Sequence, residues 1–200
     1  ATAKEAAENY NFSSFFCRQK LMTQFQKSIA RCMDEFIDTI CSETGKKHVE
    51  GLMEVFISLE HMQQSARHLY EALGKRSRHA GILKTRKVWV EYEALGVAGI
   101  ISPWNYPLVI PITISIDALL AGNNVILKPS EHTPISAMSY AEILHEAGVP
   151  SGVFNLIHGT GEEVGVALSR HPDIQMISFT GSTRGGMSVT RESAATIKRV

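Results

Sequence analysis

"GVAGIISPWNYP", residues 96–107, joins a short apolar run to a segment holding two prolines, a tryptophan and an asparagine. The run does not alternate polar with apolar, so it is expected to be buried on both faces, as interior strands of parallel sheets are. Pro103 and Pro107 then end it, because neither can donate to a ladder. Three further runs share this character: "NVILKP" (124–129), "VFNLIHG" (153–159) and "MISFTG" (176–181). Helical windows follow each run, at Leu108 to Ala121, Pro134 to Ala147, Glu162 to Ser169 and Thr183 to Ala194. Thr133 and Pro134 read as N-cap and first residue of the second window. Strand and helix therefore alternate four times. That order predicts an α/β fold, a doubly wound parallel sheet with right-handed crossovers and helices on both faces.

The segment upstream is helical. From Phe16 to Thr44, apolar side chains at Leu21, Phe25, Ile29, Met33, Phe36, Ile37 and Ile40 recur at helical spacing, and Gly45 is placed as a stop. A second helix starts near Val49 and carries Leu52, Phe56, Leu59, Met62, Ala66, Leu69 and Leu73 on one face before Gly74. "KTRKVWVEYEAL" (84–95) then alternates, with Val88, Val90 and Tyr92 on one side, and predicts a half-exposed strand. The Lys-, Arg- and Gly-rich stretch 75–95 is the candidate junction between subdomains.

Composition narrows the class. The 200 residues are 44% hydrophobic and 20% charged, and 20 basic residues balance 20 acidic ones without blocks of one sign. This fits a globular chain with a sizeable core and argues against a dedicated nucleic-acid or anionic-membrane surface. "LVIPITISIDALLAG" (108–122) contains Pro111 and Asp117 and is shorter than the roughly 20 residues of a membrane span. Cys17, Cys32 and Cys41 form an odd set with no CxxC, which suits a reducing cytoplasm and small hydrophobic roles better than a disulfide framework or zinc site. The eight histidines show no metal-ligand spacing. "ATAKEAAENYNF" lacks the apolar core of a secretory signal.

In a doubly wound sheet, ligands sit beyond the carboxyl ends of the strands, so "SPWN", "KPSE", "HGTG" and "TGST" are the stretches to weigh. Each taken singly reads more readily as an ordinary turn, for which Pro, Gly, Asn and Ser are common choices; four such turns at one sheet edge change the weighing. Lys128 and Glu131 could bind the hydroxyls of a ribose or form an exposed ion pair. Gly159, Gly161 and Gly165 make GxGxxxG, one residue longer than the dinucleotide fingerprint, and alone are weak evidence. Gly181 and Ser182 open a helix, where free N–H groups and the dipole favour a phosphate, although Ser182 also suits a plain N-cap.

Together "GVAGIISPWNYP", "AGNNVILKPSE", "GVPSGVFNLIHGTGEEVG" and "ISFTGST" resemble, in order and spacing, the cofactor-binding half of the NAD(P)-dependent aldehyde dehydrogenase superfamily. The resemblance runs from about Gly96 to Val200. It implies a Rossmann-like variant over 96–200, an N-terminal helical segment over 1–80 packed on it, and an edge strand over 81–95 of the kind used for oligomerisation. It further implies a cysteine thiolate that attacks an aldehyde, hydride transfer to NAD, with NADP as a possible alternative, and a glutamate-activated water. Asn105 resembles the oxyanion donor. Ile101, Ser102, Pro103, Trp104, Lys128, Ser130, Glu131, Gly161, Gly165, Phe179, Thr180, Gly181 and Ser182 resemble the cofactor-contacting positions, with Lys128 and Glu131 at the adenosine ribose. The implied partners are an aldehyde substrate, the nicotinamide dinucleotide and further copies of the chain in a homo-oligomer; no nucleic acid, membrane or metal is implied.

Three positions depart from the pattern. Ile114 stands where many members carry a lysine, and Arg184 with Gly185 where an aliphatic residue follows "GST". The chain opens on Ala1 and stops at Val200 in mid-pattern, and the family's catalytic glutamate and cysteine would lie beyond "IKRV", so these residues alone are expected not to oxidise aldehydes. Two other readings remain open at this level: a noncatalytic nucleotide-binding or scaffolding module, and a relative that uses CoA or phosphate.

Overall fold

Four helices come first in the computed structural model, which describes residues 2–11 and 14–200: α1 (Thr2–Asn11), α2 (Phe15–Arg31), α3 (Met33–Thr44) and α4 (His48–Leu73). The single helix expected from Phe16 to Thr44 is thus two. Cys32 breaks it with φ −100° and ψ 22°, its N–H shared between the Ser28 and Ile29 carbonyls at 3.2 Å each. The buried stripe carries across the break, from Phe25 and Ile29 to Phe36, Ile37 and Ile40. Gly45 ends α3 at φ 74°, in the left-handed cap that glycine favours. Of the cysteines, Cys32 and Cys41 are partly buried, but Cys17 is exposed on the first turn of α2, contrary to the expected small hydrophobic role.

The apolar face of α4 holds as expected from Leu59 to Leu73, with Met62 and Leu69 buried and Leu59, Ala66 and Leu73 packed against the core, but shifts in the first turns. Gly51, Glu54, Val55, Ser58, Met62 and Leu69 are buried, whereas Leu52 and Phe56 are exposed. Close approach to α3 accounts for the shift in these first turns: a Cβ at Gly51 would stand 3.2 Å from both Cys41 Sγ and Ile37 Cγ2, a spacing that only a bare backbone meets at ease.

A short antiparallel ribbon follows, β1 (Arg76–Arg78) with β2 (Val88–Val90). The alternating segment therefore forms a strand, shorter than its pattern, with Val88, Trp89 and Tyr92 all exposed.

The apolar runs become β3 (Val97–Ile101), β4 (Asn124–Lys128), β5 (Phe154–Leu156) and β6 (Met176–Phe179), all parallel, in the order β5-β4-β3-β6. Their crossovers are α5 (Val109–Leu120), α6 (Pro134–Glu146), and a π-helical turn (Gly161–Gly165) that runs into α7 (Val166–Arg170); α8 (Thr183–Ser193) follows β6. The chain builds outward from β3 through β4 to β5 and then returns to β3's other side, so the topological switch point lies between β3 and β6. Pro111 is tolerated in α5 because it falls in the first turn, where no N–H is needed.

Both faces of the sheet are covered. Ile100, Val125 and Leu127 pack with α5, α6 and the helical segment, through Phe25, Ile29, Ile112, Ile116 and Tyr140. Val97, Ile101 and Ile177 pack on the other side with Leu168 of α7, Val189 of α8 and Ala7 of α1. Among the described residues no helix is long and apolar enough to cross a membrane.

Phe25 joins the helical segment to the sheet layer, its ring 5.5 Å from that of the fully buried Tyr140 on α6. Phe25→Ala should cost about 3–5 kcal/mol, the usual range for emptying a buried aromatic site. Urea denaturation of the two proteins measures it, and a loss under about 1 kcal/mol would mean that the two layers are not joined there.

Candidate functional site

The carboxyl ends of three strands are level. Ile101 pairs with Lys128 of β4 on one side and with Phe179 of β6 on the other. Backbone bonds extend this register past the strand ends, Ser102 N donating to the Lys128 carbonyl at 3.1 Å and Thr180 N to the Ile101 carbonyl at 3.0 Å. Ile101, Ser102, Lys128, Phe179 and Thr180 are thereby brought together at the switch point. Gly165 joins them from the turn after β5: it is buried, and a Cβ there would lie 3.8 Å from Ile101 Cδ1. Gly161, at the start of the same turn, faces open space.

Beyond β3, Pro103 is half-buried, and Trp104, Asn105 and Tyr106 are exposed. The Asn105 amide has no hydrogen-bond partner among the described residues, and it does not cap α5. The first amides of that helix, Leu108 N and Val109 N, donate instead to Glu54 Oε1 at 2.8 and 3.1 Å.

At the end of β4, Lys128 is not part of an exposed ion pair. Its side chain is 3% exposed, and Nζ donates to the Pro129 carbonyl at 2.8 Å and to Glu131 Oε2 at 3.4 Å. Glu131 itself is half exposed. A hydrogen bond from its own backbone N–H, with Lys128 as a further attraction, holds its carboxyl below the usual carboxylate range against the opposing cost of partial burial. Ser130 Oγ accepts from His132 N at 3.3 Å, which closes the turn. Thr133 does hold the N-cap position of α6, but its hydroxyl makes no capping bond. Glu43, at the end of α3, takes that place: Ile135 N and Ser136 N donate to its two oxygens at 2.7 and 2.8 Å.

Beyond β6, Ser182 is a working N-cap, its Oγ accepting from Gly185 N at 3.1 Å. The Phe179 ring lies against this turn: a Cβ at Gly181 or Gly185 would stand 2.7 or 2.6 Å from its Cζ. Arg184 is exposed on the first turn of α8.

Glu43, Lys46 and Glu54 were not legible as site-supporting residues. The one available signal was the start of α5, "PLVIP", which offers no capping side chain of its own. A second polar constellation does not have catalytic geometry. Ser65 Oγ and His61 Nε2 both bond Asp117 Oδ1, at 2.7 and 3.1 Å, so a single imidazole nitrogen faces both serine and aspartate and no relay through the ring exists. A groove of about 460 Å³ between the start of α2 and residues 92–94 lies among Phe15, Arg18, Leu73 and Tyr92, away from the strand ends.

Comparison with known proteins agrees with the fold. The profile of the aldehyde dehydrogenase family matches residues 1–200. A 3-succinoylsemialdehyde-pyridine dehydrogenase from a Pseudomonas species is 37% identical over 200 residues, covering 99% of this chain and 40% of that protein. The crystal structure of an aldehyde dehydrogenase from Bartonella henselae superposes with a TM-score of 0.92 at 38% identity, over 100% of this chain and 41% of its own. A variant of aldehyde dehydrogenase C from Pseudomonas syringae, solved with NAD+ and octanal, does so with a TM-score of 0.91 at 36% identity, over 100% of this chain and 40% of its own. The chain spans about two-fifths of the length of these relatives. With its whole length matched by the family profile and its fold shared with the solved relatives, the chain belongs to the aldehyde dehydrogenase family.

Proposed function

We propose that the protein carrying this chain oxidises an aldehyde to the carboxylic acid with a nicotinamide dinucleotide, and that these residues supply the dinucleotide site and the donor to the reacting oxygen. The observation that carries the reading is the convergence at the β3/β6 switch point: an unpartnered Asn105 amide beyond β3, a half-exposed Glu131 braced by a buried Lys128 beyond β4, and a capped helix start beyond β6. The NAD+ in the Pseudomonas syringae relative supports the choice of ligand.

The residues present fit such a ligand. Glu131 offers carboxylate oxygens to a ribose diol, with Lys128 fixing the direction of its side chain from below. The first turn of α8 leaves N–H groups free for pyrophosphate, and its dipole favours the negative charge. Gly161 leaves room beside the turn after β5. When bound, the nicotinamide supplies the hydride acceptor. Asn105 donates to the carbonyl oxygen, whose negative charge grows as a nucleophile adds to the carbon, so the hydrogen bond strengthens toward the transition state.

On the same reading, residues 1–80 brace the dinucleotide-binding region at 96–200. The exposed segment at 81–95, with the β1–β2 ribbon, contacts further copies in a homo-oligomer. Three free cysteines suit a cytoplasmic setting.

Two measurements test the assignment. NAD+ should be preferred over NADP+, because the Glu131 carboxylate repels a 2′-phosphate, and modestly so because Lys128 and Arg184 supply positive charge nearby. Glu131→Gln should lower the ratio of kcat/KM values for the two cofactors by about tenfold or less, the scale of one partly exposed charge. The Glu131 carboxyl titrates below its ordinary range, so it stays ionised through neutral pH. The discrimination should be flat there and fall away only as acid protonates the group. A wild-type preference for NADP+ would contradict the role given to Glu131.

Asn105→Ala should lower kcat by about 10²- to 10³-fold, as loss of one oxyanion donor does elsewhere, with NAD+ affinity little changed. Asn105→Asp should be at least as damaging, because a carboxylate cannot donate and repels the developing charge. Rates, NAD+ binding and melting temperature of both variants decide the matter, and an active, stable Asp variant defeats the oxyanion role.

A further inference from the structure

α5 starts without a cap of its own. Leu108 holds the N-cap position and offers no oxygen, and the neighbouring "PLVIP" contains no polar side chain. The cap comes from α4. Glu54 Oε1 accepts from Leu108 N and Val109 N, and Oε2 accepts from Lys46 Nζ at 2.7 Å. The Glu54 side chain is 0% exposed and that of Lys46 16%. Lys46 Nζ also stands 4.0 Å from the centroid of the Tyr106 ring, the residue next to Asn105. One carboxylate and its counter-ion therefore hold both the start of α5 and the far side of the Asn105 loop. The near side is held by the bond from Ser102 N to the Lys128 carbonyl. Only residues 103–107 lie between these anchors.

Stability alone does not account for the arrangement. A buried ion pair is weak evidence of stabilisation, because apolar residues of similar volume often serve as well. A buried, paired carboxylate with both oxygens bonded does, however, fix direction. Charge-assisted bonds are stronger than neutral ones, and both oxygens are directed at specific partners, Oε1 at two amides and Oε2 at the Lys46 ammonium.

We propose that Glu54, held by Lys46, is a positioning residue for the reaction: it keeps the Pro103–Pro107 loop in the one geometry that directs the Asn105 amide at the reacting oxygen. This rests on the oxyanion role given above to Asn105. Glu54 acts through Asn105 and touches neither substrate nor cofactor.

The test uses the protein carrying this chain. Glu54→Gln keeps the side chain's size and removes its charge. It should lower kcat by about 10²-fold, the cost of a misplacement near 1 Å, while the Kd for NAD+ stays within about twofold. Deuterium uptake in the peptide covering 103–109 should rise. In an Asn105→Ala background the same substitution should change kcat by less than about threefold, since residues that act as a unit are not additive. Should Glu54→Gln fold poorly, judged by its melting temperature, Glu54→Asp takes its place in every comparison, because it keeps the charge but falls short by one methylene. Unchanged kcat, unchanged uptake over 103–109, or losses from Glu54 and Asn105 that multiply in full would each overturn the positioning role. An Asn105→Ala protein with wild-type kcat would instead overturn the oxyanion reading itself, so the two failures are told apart.

Discussion

Two carboxylates from the helical segment, Glu43 and Glu54, occupy the N-termini of the two helices that leave β4 and β3. Each helix follows a loop of the candidate site, and neither has a side-chain cap in its own sequence. An uncapped helix start leaves several N–H groups without partners, and at a buried start water cannot replace them. Leu108 and Ser136 are both buried, so the caps must come from elsewhere in the fold. The loops carrying Asn105 and Glu131 are thus held by bonds that reach back 54 and 92 residues. Helix and loop are fixed in one step, and the segment that looks like scaffold becomes part of the site's construction.

This explains which parts could be read from the sequence. The four parallel strands were legible because burial on both faces suppresses alternation, and the turns after them because Pro, Gly, Asn and Ser have local backbone reasons to be there. The helices between them begin and end within a residue or two of their patterns, except after β5, where the chain first makes a π turn. The face that the first turns of α4 bury was not legible, although the later positions from Leu59 to Leu73 were. Its pattern contains two apolar stripes, and the choice between them depends on how closely Gly51 lets α3 approach and on Glu54 turning inward. Likewise nothing in "RCM" announces the break at Cys32. Glu54 reads as one more polar residue on an amphipathic helix, and only the partner 54 positions later gives it meaning. What failed to appear in the sequence was long-range pairing, and it failed at polar residues whose partners are backbone amides and so leave no pattern.

The positions that depart from the family pattern acquire physical content in the fold. Ile114 is partly buried and packs against the larger core cluster, so an apolar side chain serves the packing of α5 there. Gly185 is coupled to Phe179, whose ring tip would stand 2.6 Å from a Cβ at that position. With a side chain at residue 185 the ring would have to turn away; with glycine its tip rests against the start of α8. The same ring closes over Gly181, at 2.7 Å from a Cβ there. Phe179 and the two glycines therefore behave as one unit, in which the aromatic ring fills the room that an aliphatic residue at 185 would take. Arg184, by contrast, points to solvent beside this unit and is free to add positive charge without disturbing it.

Charge at the strand edge is ordered by depth. Lys128 is buried with two of its three donors engaged, one on its own neighbour's carbonyl and one on Glu131. A buried ammonium without such partners would be costly, so the loop after β4 is folded around it as much as the lysine is placed by the loop. Glu131 then inherits a defined direction although half of it is in water, where a free carboxylate would sample many rotamers. Glu54 and Lys46 follow the same logic at the start of α5, with the roles exchanged: there the acid is buried and the base reaches toward the surface. In each pair the buried member sets the geometry. At the end of β4 the member nearer the water is the half-exposed Glu131, and beside Tyr106 it is Lys46, whose ammonium stands over the ring, so the two ion pairs present opposite charges outward.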